Sequence, residues 1–257
     1  MVHVAALPGA PKNKLGIQEI VLKAFKDAKA LAEGGVDAVM IENMHDRPYL
    51  NRKAGPEIIA AMTSVACYLR KELNIPLGIQ VLAGANNEAL AVALAAGMDF
   101  IRAEGFVFGH LADEGMMNSD AGELFRYRKQ IGAEHIRIYT DIKKKHSSHA
   151  ISGDVSIAET AKAAEFFLSD GVIITGNATG EKASPDDLKQ VKQSVQIPLL
   201  IGSGITAENI GDYWELADGF IVGSSLKFNG KWGNDVDPNR VAAFIQVVKA
   251  LKRQNIQ

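Results

Sequence analysis

Short continuous apolar runs alternate along this chain with longer segments whose apolar residues recur every three or four positions. The runs begin near residues 2, 36, 77, 99, 135, 171, 197 and 219. Continuous, β-branched runs of this kind mark parallel strands buried on both faces. Between the first two, Ile17, Ile20, Val21, Ala24, Ala28 and Leu31 share one face of a helix predicted over residues 17–33, and Gly34-Gly35 stops it. Pro56 opens a second helix reaching about residue 73. Residues 87–96 and 121–131 read as the next two. A helix over 156–168 has Asp154 or Ser156 as its cap, and Ser184-Pro185-Asp186-Asp187 starts another that runs to about 194. Residues 238–252 form the last. The longest irregular stretch is 106–120, where Met116 and Met117 are expected to be exposed as part of a lid or a subunit contact. No connection demands an antiparallel pair. Eight strand–helix units predict an α/β fold, a single (β/α)8 TIM barrel over residues 1–257. An open doubly wound sheet lacks its signal, since Leu7-Pro8-Gly9-Ala10-Pro11 stands where a glycine-rich dinucleotide fingerprint belongs.

The strands end in polar residues: His3, Glu42 with Asn43, Gln80, Arg102 with Glu104, Asp141 with Lys143, and Thr175 with Asn177. One such ending is a solvated rim residue. Several together predict a shared polar site at the carboxyl face of the barrel. The last two strands end differently, in Gly202-Ser203-Gly204 and Gly223-Ser224-Ser225. Two glycine-serine corners after strands seven and eight can aim backbone N–H groups at one phosphate. The alternative is a pair of turns that need glycine for their geometry alone.

Roles are less determined than places. Glu42, Glu104 and Asp141 are candidates for acid–base work, because crowded carboxylates push one another's pKa apart. Arg102 serves equally well as the structural partner of Glu104 or Glu42. Lys143 can bind phosphate as a point charge or form a Schiff base. Its neighbours Lys144 and Lys145 read as a solvated basic loop. His146 and His149 beside Asp141 invite a metal reading, but loop histidines without a further fixed ligand point to no zinc site. Magnesium held by Glu42, Glu104 and Asp141 beside a phosphate is the minor alternative to no cofactor.

Composition narrows the partners. A net charge of -2 gives no reason to expect nucleic acid or an anionic membrane. The one cysteine, Cys67, lies in an apolar helical pattern and is expected to be a buried small hydrophobe. With no internal disulfide available, the cytoplasm or another reducing compartment is expected. No basic leader precedes the first strand, and no window reaches the ~20 apolar residues of a transmembrane helix, though a peripheral membrane role stays open. A homo-oligomer is expected.

Several motifs together resemble the BtpA family. The opening V-H-V-A-A-L-P-G-A-P, the second-strand end V-D-A-V-M-I-E-N-M, the segment D-I-K-K-K-H-S-S-H and the T-G-x-x-T-G after the sixth strand all resemble family motifs. The positions that carry over are His3, Glu42, Asn43, Asp141, Lys143, His146, Thr175, Gly176 and Gly180. The family includes proteins tied to photosystem I biogenesis in cyanobacteria and SgcQ proteins of bacterial sugar operons. The resemblance implies a phosphate-binding barrel similar to phosphoribosyl-anthranilate isomerase and the tryptophan synthase α-chain, without implying a settled reaction. Three functions follow as expectations. The first is an isomerase, epimerase or lyase acting on a small phosphorylated sugar or nucleotide-like metabolite, with Gly202, Ser203, Gly204, Gly223, Ser224 and Ser225 on the phosphate. In it, Asn43, Gln80, Arg102, His146, Thr175 and Gly176 contact substrate, and Glu42, Asp141, Glu104, Lys143 and His3 do chemistry. The second is a non-catalytic assembly factor of the BtpA type, and the third a Schiff-base aldolase using Lys143.

Overall fold

The computed structural model describes residues 1–176 and 182–254; Asn177 and Gly180 lie outside them. The eight parallel strands are β1 (Val2–His3), β2 (Val39–Glu42), β3 (Leu77–Gln80), β4 (Phe100–Ala103), β5 (Arg137–Asp141), β6 (Gly171–Ile174), β7 (Leu199–Ile201) and β8 (Gly219–Phe220). They pair in chain order, β1 to β8, in one sheet. The Met1 ammonium donates to Val222 O at 2.9 Å, and there the two ends of the sheet meet. Helices α1 (Ile17–Gly34), α2 (Pro56–Glu72), α3 (Asn86–Ala96), α4 (Ala121–Gln130), α5 (Ile157–Phe166), α6 (Pro185–Lys192), α7 (Ile210–Tyr213) and α8 (Pro238–Gln254) follow the strands in turn.

Local chemistry explains several boundaries. Gly35 takes φ 93° and closes α1 by donating its N–H to Ala32 O and Leu31 O. Ser156 and Glu159 form a reciprocal capping box at α5, and the Ser184 hydroxyl accepts from Asp187 N before Pro185 in α6. Along the strands, alternation decides which side chain faces where. Val39, Ile41, Leu77, Ile79, Ile101, Ile138, Val172, Ile174, Leu199 and Ile201 are at most 1% exposed, between sheet and helices. The intervening residues Met40, Phe100, Arg102, Tyr139, Ile173 and Leu200 line the space inside the barrel. There the rings of Phe100 and Tyr139 meet edge to face, their centroids 5.8 Å apart.

Two expectations are corrected here. Residues 106–120 are not wholly irregular: His110–Ala112 pairs antiparallel with Gly115–Met117 and with Ser147–Ser148. Strands this short carry no readable period. The resulting small sheet joins the β4–α4 loop to the β5–α5 loop, and only Met116 of its methionines is exposed, Met117 being fully buried. Cys67 is exposed. The inward stripe of α2 is Met62, Val65, Ala66 and Leu69, so Cys67 falls on the outer face. Among the described residues no helix is long and apolar enough to cross a membrane.

Candidate functional site

Both glycine-serine corners open onto one cavity of about 550 Å³, at the carboxyl end of the barrel. Gly202, Ser203, Gly204, Gly223, Ser224 and Ser225 all line it, as do His3, Glu42, Gln80, Arg102, Glu104 and Lys145. Gly204 needs its missing side chain, since it takes φ 71°. Gly202 needs it for a different reason: a Cβ there would stand 3.3 Å from the Arg102 Nη2 and 2.7 Å from the Ile173 side chain. Among the described residues the N–H groups of Gly204, Gly223 and Ser224 donate to no protein acceptor. The corners are tied to each other and to the wall. Ser225 Oγ donates to Ile205 O at 2.8 Å, Asn209 Nδ2 donates to Gly204 O at 2.8 Å, and Arg240 Nε donates to Ser225 O at 2.7 Å. The Ser225 hydroxyl, expected on the phosphate, thus serves as a tie.

Below the corners lies a charged layer. Arg102 meets Asp141 through two bonds, Nε to Oδ2 at 2.9 Å and Nη2 to Oδ1 at 2.8 Å, with side chains 7% and 1% exposed. Burial alone would lower the Arg102 pKa, yet Asp141 beside it raises it above the ordinary value. Burial pushes the Glu42 carboxyl up, and Arg102 and Lys145 only partly oppose this. Lys144 Nζ stands 3.4 Å from Glu104 Oε2, while that oxygen and Gln80 Oε1 are buried without a hydrogen-bond partner. The Lys145 ammonium is pushed down by burial and then by Arg102. His3 Nδ1 lies 2.8 Å from Trp232 O. A carbonyl only accepts, so Nδ1 carries the hydrogen and Nε2 is left as the acceptor. Burial and then Lys227 keep this imidazole neutral well below the usual histidine range. At the rim, Arg47 lies over the Trp232 ring, 4.7 Å from its centroid, and the His45 ring is 5.1 Å from it.

Not every expected residue reaches the mouth. Lys143 takes φ 44°, donates to Ser152 O at 3.3 Å and lines a separate small crevice beside His110 and His149. Asn43 is 1% exposed and fully engaged: it donates to Asp46 Oδ2 at 3.1 Å and accepts from Leu82 N at 2.7 Å. Thr175 and Gly176 do not line the cavity; the Thr175 hydroxyl accepts from Lys145 N at 3.1 Å and so fixes the loop. His146 is exposed at the cavity edge. Among the described residues no group of three or more His, Cys, Asp or Glu side chains is arranged to hold a metal ion. Arg102 and Lys145 stand among the carboxylates instead. Reading the basic run as solvated missed Lys144 and Lys145, and nothing in the pattern pointed to Arg47, Trp232 or Arg240. A larger space of about 930 Å³ extends toward the amino-terminal face. Of the polar strand-end residues it touches only Arg102, so the smaller mouth, where they gather, is the candidate site.

Fold and mouth together define a (β/α)8 barrel with paired glycine-serine corners over a layer of buried charges. The chain belongs to the BtpA family, whose model matches residues 1–250. A Caenorhabditis elegans relative, named as an uncharacterized mitochondrial protein, is 50% identical over 98% of this chain and 93% of its own. The photosystem I biogenesis protein BtpA of Synechocystis sp. is 34% identical over 96% of this chain and 86% of its own. The barrel is shared with solved enzymes of low sequence identity. Thiamine phosphate pyrophosphorylase from Pyrococcus furiosus matches with a TM-score of 0.59 at 16% identity, over 88% of this chain and 90% of its own. Phosphoribosyl anthranilate isomerase from Thermus thermophilus matches with a TM-score of 0.58 at 14% identity, over 88% and 94%.

Proposed function

We propose that the mouth binds a small phosphorylated metabolite and moves protons on it, as an isomerase, epimerase or lyase does. The observation that carries this reading is convergence: both corners, with their unengaged N–H groups, line the same cavity as Glu42, Glu104, His3 and Lys145. Glu42 is the acid–base group, because a carboxyl raised by burial works nearer neutral pH than a solvated one. The neutral His3 offers Nε2 as a second proton carrier. Arg102 stabilises negative charge that develops on a substrate oxygen, and Asp141 holds the guanidinium in place.

Inorganic phosphate and a panel of phosphosugars should raise the melting temperature, by about 2.7 kcal/mol of added stability at a hundred times Kd. Arg240→Ala, which frees the second corner, should weaken that protection. Glu42→Gln should keep the protection and abolish turnover of whichever compound binds. A melting temperature indifferent to every phosphorylated compound would sink the reading. The printed name of the Synechocystis relative favours a second reading, a non-catalytic assembly role. On that reading Glu42→Gln leaves the cellular phenotype intact, and changes on the outer surface abolish it.

A further inference from the structure

We infer that Lys145 is the nucleophilic amine of the mouth and that the ligand carries an aldehyde or ketone besides its phosphate, with which Lys145 forms a Schiff base. The inference rests on the phosphate-binding reading above and names the ligand's second reactive group. Three consecutive lysines meet three different fates. Lys143 is turned away and donates to Ser152 O. Lys144 lines the cavity as well but is neutralised by Glu104, its side chain 10% exposed. Lys145 lines the cavity, and among the described residues its Nζ takes part in no hydrogen bond and no ion pair. The bond from Lys145 N to Thr175 Oγ1 holds its backbone at the rim, so the half-buried side chain is directed by the loop rather than left to solvent. The guanidinium of Arg102 lines the same cavity and, after burial, is the main influence that disfavours the ammonium form of Lys145; together the two outweigh Glu42, Asp141 and Glu104, which favour it. An amine drawn out of water beside a second cation, without a carboxylate in contact, is the arrangement that activates a lysine nucleophile.

The step balances without any further reagent. The Nζ lone pair attacks the carbonyl carbon, and the carbon–oxygen π pair moves to oxygen. Nitrogen gives up a proton, oxygen gains one, and Glu42 carries it, since it lines the same cavity and its charge acts on Lys145. A second proton transfer expels that oxygen as water and leaves the carbon–nitrogen double bond. Once formed, the iminium draws electrons from the neighbouring carbon, which eases loss of a proton or cleavage of a carbon–carbon bond there.

The test uses pyridoxal 5′-phosphate and glyceraldehyde 3-phosphate as probes, each trapped with borohydride and located by peptide mass mapping. Lys145 lines the cavity with an unengaged amine, so it should label several times faster than Lys143, which donates to Ser152 O, or Lys144, which is paired with Glu104. Inorganic phosphate should slow that labelling by competing for the corners. Lys145→Met should lose the adduct and Lys143→Met should keep it; if Lys145→Met does not fold, the wild-type map decides. Equal labelling across lysines, or an adduct that forms first at Lys143 or Lys144, overturns the assignment. So does labelling of Lys145 that ignores phosphate. Thermal protection by phosphate without an adduct removes the Schiff base and leaves the phosphate reading standing, whereas loss of both removes both.

Discussion

At the scale of single residues, the Arg102–Asp141 pair shows how the mouth is built. Its members are nearly inaccessible and bonded at both guanidinium positions. Removing one member of a buried pair strands the other, which costs about 3–5 kcal/mol. The two removals are not equivalent. Asp141→Asn leaves Arg102 still facing Glu42 and Glu104, whereas Arg102→Met leaves three carboxylates without their central cation. Urea denaturation should therefore give a larger loss for Arg102→Met than for Asp141→Asn, and the reverse order would mean that Arg102 is not the hub. Strand-end polarity made both residues legible in the sequence, because an apolar run that switches to a charge at its last inward position is a local pattern. Their partnership is not legible there: the sequence offers Glu104 or Glu42 to Arg102, whereas residues on neighbouring strands are joined by register, here Arg102 opposite Tyr139 with Asp141 one alternation on. Asn43 fails for the same reason, since its partners Asp46 and Leu82 come from loops that no periodicity announces.

At the scale of elements, the loops above the barrel carry what the sequence hid. Arg52 donates to Gly84 O at 3.0 Å and Gly105 O at 2.7 Å, and it pairs with Asp120, so three loops share one guanidinium. The small antiparallel sheet then binds the β4–α4 loop to Ser147–Ser148, which turns the basic run inward. His110 is the titrating element of this sheet. Its Nε2 is buried without a partner, and burial, then Lys144 and His149, push its pKa down to about 4. In the unfolded chain the same imidazole titrates near ~6.5. Between those values the unfolded state binds the extra proton, so stability rises with pH across the window and is lost as pH falls from 6.5 toward 4. The melting temperature of the wild type should fall more steeply over that range than that of His110→Leu. Hydrogen exchange in residues 110–117 should rise first; parallel pH profiles for the two proteins would show that the sheet is not proton-sensitive.

At the scale of the whole molecule, the barrel separates its tasks along its axis. Met40, Phe100, Tyr139 and Leu200 line the interior toward the amino-terminal face, and the residues two positions on in each strand, Glu42, Arg102, Asp141 and Gly202, form the charged layer or the corner above. The lower level is packed and the upper one charged, which is how the fold generally separates stability from a site at its carboxyl face. Gly78 tests that division. A Cβ there would fall 2.1 Å from the Phe100 ring, and its three nearest atoms all belong to that ring. Gly78→Ala should therefore cost about 1–3 kcal/mol through overpacking, while Gly233→Ala, where a Cβ meets nothing within 4 Å, should stay near neutral. Phe100→Leu in the Gly78→Ala background should recover part of the loss, because the two changes share one contact and do not add. Across these variants the rise in melting temperature on adding inorganic phosphate should persist, since the corners hang on Asn209, Ile205 and Arg240 and not on the aromatic layer. If Gly78→Ala removed the phosphate effect while the protein remained folded, the two levels would be one mechanical unit, and the mouth could not be reasoned about apart from the packing beneath it.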